Sequence, residues 1–256
     1  MSCWPVLQPI RYCCTCSAVA ESGIAEPPRG IRVYVYIPTL MEIVPQMSAD
    51  RPELRVTVFS DFICPFCYIG FRRLEALRDE YDLKVNWRFL EIHPETPADG
   101  GRFSDYDYSE EQRQMMEDAL AELAASEHLV FQRRVSVANS HRALCLAEVA
   151  KRDGAEVFYR LSADLFDAYF SKGKDIGSEV VLRELAQSAG MSSESIQAAW
   201  EDPAIEAVLT RNLASAIELG VGGTPTFFFG ARRITGAVPR EMLRAAAIEL
   251  LAGEEA

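Results

Sequence analysis

Two cysteines three positions apart, in Cys64-Pro65-Phe66-Cys67, stand where an extended run gives way to a helix, and this junction constrains the chain more than any other feature. The run Leu54-Arg55-Val56-Thr57-Val58-Phe59-Ser60 is β-branched and aromatic, as a strand requires. Pro65 suits the first turn of a helix, where its missing N–H costs nothing. Phe66, Ile69, Leu74, Leu77 and Tyr81 then mark an apolar helix face running to about Glu80. A second strand is expected over Val85–Ile92, stopped by Pro94 and Pro97, which makes a β-α-β unit with the cysteine pair at its first turn. The unpaired N–H groups and dipole of a helix N-terminus favour a thiolate there, so Cys64 reads as a nucleophile of depressed pKa and Cys67 as its partner in a small disulfide ring.

Further along the chain, residues 98 to about 190 have the period of roughly four helices. Ser109-Glu110-Glu111-Gln112 and Asn139 are placed to cap two of them, and Gly190 to end the stretch Glu179–Ala189. A helix over Ala204–Leu219 leads into Gly220, Gly222 and Gly223. Then come two short strands, Thr226–Phe229 and Arg232–Thr235, separated by Gly230-Ala231 as in a hairpin, and a last helix from Pro239. The class is therefore α/β.

Residues 1 to about 50 differ: six prolines punctuate them and no period persists, so a disordered extension is expected, with Ile31–Ile37 its only strand-like run. Met47-Ser48-Ala49-Asp50 has the short polar character of a lead-in to a first strand, which suggests a native start there. Ala18-Val19-Ala20 resembles a signal cleavage site, but no basic residue lies near Met1 and Pro5, Gln8, Pro9 and Arg11 interrupt the apolar core, so a cytoplasmic location is expected. No stretch reaches the roughly 18 apolar residues of a spanning helix. With 26 basic against 38 acidic residues, a net charge of -12, neither nucleic acid nor an anionic membrane is an expected partner.

Strand, C-x-x-C helix, strand, helical insertion, Gly-Gly-Thr-Pro turn, hairpin and helix in this order resemble the DsbA family of the thioredoxin superfamily. The likeness is greatest to FrnE-type proteins, relatives of the 2-hydroxychromene-2-carboxylate isomerases. The residues that carry it are Ser60 to Gly70, Trp87 to Pro94, Asn139-Ser140-His141-Arg142-Ala143 and Gly220 to Phe227. The resemblance implies a thioredoxin-like domain over residues 52–98 and 191–256, an inserted helical domain over 99–190, and the extension 1–51 outside both. It also implies a cis bond at Thr224-Pro225 facing the cysteine pair, with adjacent backbone pairing to an extended peptide.

Two departures stand out. Phe66 occupies the place where DsbA-type centres usually carry histidine, and no cysteine follows Cys145 to supply a C-terminal pair. The expected chemistry is thiol-disulfide exchange by the catalytic residues Cys64 and Cys67, with Pro65, Phe66, Gly223, Thr224 and Pro225 at the substrate. Glu91, Asn139 and His141 are candidates for accessory roles: Glu91 as a proton relay to Cys67, Asn139 and His141 as a cap or as groups reaching the site. No metal or cofactor beyond the redox-active disulfide is expected; glutathione is a candidate co-substrate, protein or small thiols are the partners, and an exposed apolar face on the insertion would support a homodimer. Three alternatives stay open. Cys13-Cys14-Thr15-Cys16 would complete a zinc site with Cys64 and Cys67. A glutathione-dependent isomerase of a small aromatic substrate would ordinarily carry serine at the place of Cys64. A non-catalytic peptide-binding or chaperone module would need neither thiol. Cys145, within a helical apolar pattern, reads as core.

Overall fold

The computed structural model describes residues 51–102, 106, 109–132 and 136–254. The N-terminal readings, including the extension, the strand-like run and the second cysteine cluster, lie outside the described residues.

Strands β1 (Glu53–Ser60) and β2 (Asp82–Phe89) pair in parallel, with helix α1 (Pro65–Glu75) and a 3₁₀ turn (Ala76–Asp79) crossing between them. Strand β2 starts earlier than the expected Val85 and ends at Phe89. Beyond it the backbone turns to the site: the Leu90 N–H donates to the Ser60 carbonyl (3.0 Å) and the Ile92 N–H to Asp61 (2.9 Å). The hairpin β5 (Thr226–Phe229) and β6 (Arg232–Thr235) adds antiparallel to the other side of β1, giving the order β2-β1-β5-β6.

Register puts Leu54, Val56 and Val58 on one face with Leu83, Trp87, Phe227 and Phe229, all buried, while Arg55, Thr57, Lys84 and Asn86 face the other way. Period-2 alternation thus assigns the core face. Helix α1 and the final helix α8 (Arg240–Glu254) contact each other, and α8 also contacts β5.

Between β2 and β5 lie β3 (Gly101–Arg102), α2 (Glu110–Ser126), β4 (Ser136–Val137), α3 (His141–Asp153), α4 (Ala155–Phe170), α5 (Glu179–Ala189), α6 (Ser193–Glu201) and α7 (Pro203–Glu218). The β3–β4 pair and the separate α6 are not anticipated by the sequence reading: two-residue strands have no detectable period, and α6 is too short to stand apart from α7. Helix α6 packs on α3. Gly190 closes α5 at φ 101°, and the Met191 N–H donates back to Ala186 (3.0 Å), a left-handed cap that glycine adopts without strain.

An aromatic cluster joins α4 to α1. Phe166 of α4 stacks on Tyr68 (5.2 Å between centroids) and tilts against Phe62 and Phe71 at 5.0 and 5.5 Å. Arg73 of α1 adds a polar tie: it pairs with Glu127 at 2.7 Å and donates to Ser126 and to the Ala237 and Val238 carbonyls, both partners of the pair being nearly enclosed.

Candidate active site

Cys64 is the N-cap of α1, with extended backbone (φ -86°, ψ 115°) and Pro65 as the first helical residue. The chain enters the helix through a tight turn in which the Cys64 N–H donates to the Asp61 carbonyl (3.3 Å), while the N–H groups of Cys67 and Tyr68 converge on the Cys64 carbonyl at 3.0 and 3.3 Å. Both thiols are free and buried, with exposures of 5% for Cys64 and 1% for Cys67.

From far along the chain Thr224-Pro225 arrives as a cis peptide, and Cys64 Sγ donates to the Thr224 carbonyl at 3.4 Å. Gly70 lets it come that close: a Cβ there would stand 2.9 Å from Phe227 Cζ and 3.0 Å from Pro225 Cγ. Thr226 secures the turn from the other side, its hydroxyl donating to the Gly223 carbonyl (2.6 Å). Pro225 is buried, Pro65, Phe66, Gly223 and Thr224 are half-buried, and Gly222 faces open space.

The two thiols differ electrostatically. Cys64 is lowered below the ordinary thiol range, first by the hydrogen bond from Cys67 and further by the Thr224 side chain and the Cys67 N–H, against the opposing effect of burial. Cys67 is pushed well up, first by burial and then by its bond to, and the charge on, Cys64. Ser60 Oγ, buried and without a full hydrogen bond, lies beside Cys67 and offsets this weakly.

Asp61, three residues before Cys64, is wholly buried. Its carboxyl accepts from the N–H groups of Ile63 (3.2 Å) and Ile92 (2.9 Å) and from the Ser140 hydroxyl (3.1 Å). Burial nevertheless outweighs these bonds and lifts its pKa to about 7, and its charge, when present, opposes the Cys64 thiolate. The only local signal for this acid is a lone aspartate within an apolar stretch, immediately before the cysteine turn.

Residues 55–247 match the model of the DSBA-like thioredoxin domain. The chain belongs to that family. Among solved structures, a probable DsbA oxidoreductase from Streptomyces coelicolor is similar at 28% identity with a TM-score of 0.67, over 78% of this chain and 91% of that one. A 2-hydroxychromene-2-carboxylate isomerase (21% identity, TM-score 0.60, 79% and 98% covered) shares the fold. So does a cytosolic disulfide reductase, DsbM, from Pseudomonas aeruginosa, solved with GSH (20%, 0.56, 79% and 98%). This DsbA-like chain thus has the thioredoxin-like α/β fold that the order of its motifs implies, and the family and the Streptomyces oxidoreductase support thiol-disulfide chemistry.

The accessory candidates fall into two places. Asn139 works locally: its amide donates to the Thr96 carbonyl (2.7 Å) and its Oδ1 accepts from the His141 N–H (3.0 Å), but the N-cap of α3 is the next residue, Ser140, so the expected cap lies one position on. Glu91 pairs with His141 through Nδ1, and its charge raises the pKa of Asp61; the carboxyl that acts on Cys64 is Asp61. His141 turns its other nitrogen to Cys145 Sγ (3.7 Å) and to Glu206 (3.2 Å). Its neighbours Cys145 first and Glu91 next raise the imidazole pKa to about 10, against the effect of burial. Cys145 is buried at 4% exposure, as a core residue would be, but with a polar neighbour. Among the described residues no helix is long and apolar enough to cross a membrane.

Proposed function

We propose that the chain catalyses thiol-disulfide exchange with protein or glutathione-type substrates through Cys64 and Cys67. The observation that carries this reading is the pair of free thiols at one helix N-terminus, with Cys64 at the N-cap and its Sγ 3.4 Å from the Thr224 carbonyl beside cis-Pro225; the opposite directions in which the two thiols are shifted agree with it.

The Cys64 thiolate attacks one sulfur of a substrate disulfide, forming a mixed disulfide and expelling the other sulfur as a thiolate that takes a proton. Cys67 then loses its proton and attacks Cys64 Sγ, releasing the second substrate thiol. The substrate gains two electrons and two protons, and the pair becomes the Cys64–Cys67 disulfide. In reverse, the disulfide oxidises a dithiol. The half-buried Pro65, Phe66, Gly223 and Thr224 with Pro225 form the rim on which an extended peptide or a small thiol would lie. Cys64, where the related isomerases ordinarily carry serine, favours exchange over isomerisation.

We place the protein in the cytoplasm, working with the glutathione pool. Equilibration of the Cys64/Cys67 couple in glutathione buffers tests that placing, with a potential near the cytosolic poise expected. A much more oxidising value would make it a disulfide donor instead. Cys64→Ser is expected to abolish insulin reduction and the refolding of scrambled ribonuclease; unchanged turnover in that variant would remove the catalytic role.

A further inference from the structure

We propose that His141, Cys145 and Glu206 form a mononuclear zinc site, separate in its ligands from the cysteine pair. Among the described residues this is the group of His, Cys and acidic side chains whose donor atoms converge, all lying within 4.8 Å of one another. His141 and Cys145 are four residues apart on α3 and so share one face of it. Glu206 comes from the first turn of α7.

The separations fit an ion between them. Ligand atoms held 2.0–2.3 Å from a tetrahedral zinc stand about 3.3–3.8 Å apart. His141 Nε2 lies 3.7 Å from Cys145 Sγ and 3.2 Å from Glu206 Oε2. The remaining edge shortens by a rotamer adjustment of Glu206, whose side chain is 60% exposed and free to make it. Behind the imidazole, Glu91 binds Nδ1 and leaves Nε2 as the outward nitrogen, the carboxylate support that metal-bound histidines commonly have.

On the open side a cleft of about 330 Å³, lined by these three residues together with Trp200, Asp202 and Pro203, leaves room for a fourth ligand, water or a small anion. Thiolate, imidazole and carboxylate together suit zinc and not magnesium or calcium, which take oxygen donors. A nucleophilic Cys145–His141 pair fits less well: Nε2 would then serve the thiol alone, whereas the Glu206 carboxylate approaches it more closely than the sulfur does. Loading must displace protons from His141 and Cys145, so affinity rises with pH.

The test is zinc affinity of the full-length C64S/C67S protein, by competition with a chromophoric chelator, together with the thiolate-to-metal absorption of its cobalt form. One equivalent of zinc and a cobalt-thiolate band are expected. His141→Ala and Cys145→Ala should each weaken binding at least about 100-fold, and Glu91→Gln about 10–100-fold as a support to the imidazole. Cys145 is buried and its variant can misfold; the exposed Glu206→Gln, expected to cost about 10-fold or more, keeps the test decisive. Absence of bound zinc would overturn the site. So would affinity unchanged in both Glu206→Gln and His141→Ala, or loss of zinc only on Cys13→Ser/Cys16→Ser.

Discussion

Cys64 and Cys67 are identical in chemistry, yet their pKa values are pushed in opposite directions, Cys64 down by the hydrogen bond from Cys67 and Cys67 up by burial and by its bond to Cys64. If the Cys67 S–H is the main stabiliser of the Cys64 thiolate, Cys67→Ala should shift the pH profile of Cys64 alkylation upward, whereas Cys67→Ser, which keeps a hydroxyl donor, should shift it less. Equal profiles in the two variants would assign the effect to the helix terminus alone. Asp61 acts with the opposite sign: its charge disfavours the thiolate, so Asp61→Asn should move the alkylation midpoint of Cys64 to lower pH, and should remove any inflection near 7. The sequence made both cysteines legible because their spacing and the strand-to-helix junction are local. It left Asp61 unread, since its importance comes from complete burial and from the Ile92 N–H and Ser140 hydroxyl, groups 31 and 79 residues away.

Helix α1 carries at the element scale what the site requires: a cap at one end, a bare flank at Gly70 and an anchored Arg73. Gly70→Ala gains about 1 kcal/mol of helix propensity but inserts a methyl against Pro225 and Phe227, for which overpacking typically costs about 1–3 kcal/mol. A net loss of up to about 2 kcal/mol in urea denaturation is expected, with a raised Cys64 pKa as the Thr-Pro turn is pushed back; a stabilised protein with an unchanged thiol would show that the close approach is dispensable. Arg73→Met leaves Glu127 only its longer pair with Arg240 (3.7 Å) and strips two carbonyls of their donor in a nearly dry pocket. A cost of about 3 kcal/mol, the low end for breaking a buried pair, is expected from equilibrium unfolding. Element boundaries were legible where a stop is local, as at Gly190 and in the Gly230-Ala231 hairpin. They depart from the sequence pattern where the stop is tertiary: β2 ends at Phe89 because its partner β1 ends at Ser60, the Leu90 N–H making the last ladder bond, and the Ile92 N–H turns instead to the Asp61 carboxyl, which no property of Leu90 or Ile92 announces.

For the whole molecule, Asp61 ties stability to pH. Its pKa is about 7 when folded and near 3.8 when exposed, so between these values the folded state holds a proton that the unfolded chain has released. Stability from this group is therefore complete below about pH 4 and declines as pH rises to about 7, by an amount on the order of 4 kcal/mol. The difference in unfolding free energy between the parent and Asp61→Asn, measured at pH 4, 5.5 and 7, should fall along that series; a flat difference would mean that the carboxyl is charged throughout. The cysteine turn, the core-facing alternation of β1 and most helices follow from residues near one another in the chain, where period, proline and glycine act directly on the backbone, so the sequence alone determined them. The tertiary structure decided which groups share a field: Thr224 against Cys64, the Asp61 charge acting on it, and Glu91, His141, Cys145 and Glu206 drawn together from the loop after β2 and from α3 and α7. Burial and Coulomb energy depend on distance in space, and in this fold the chain returns to its own beginning only after some 160 residues.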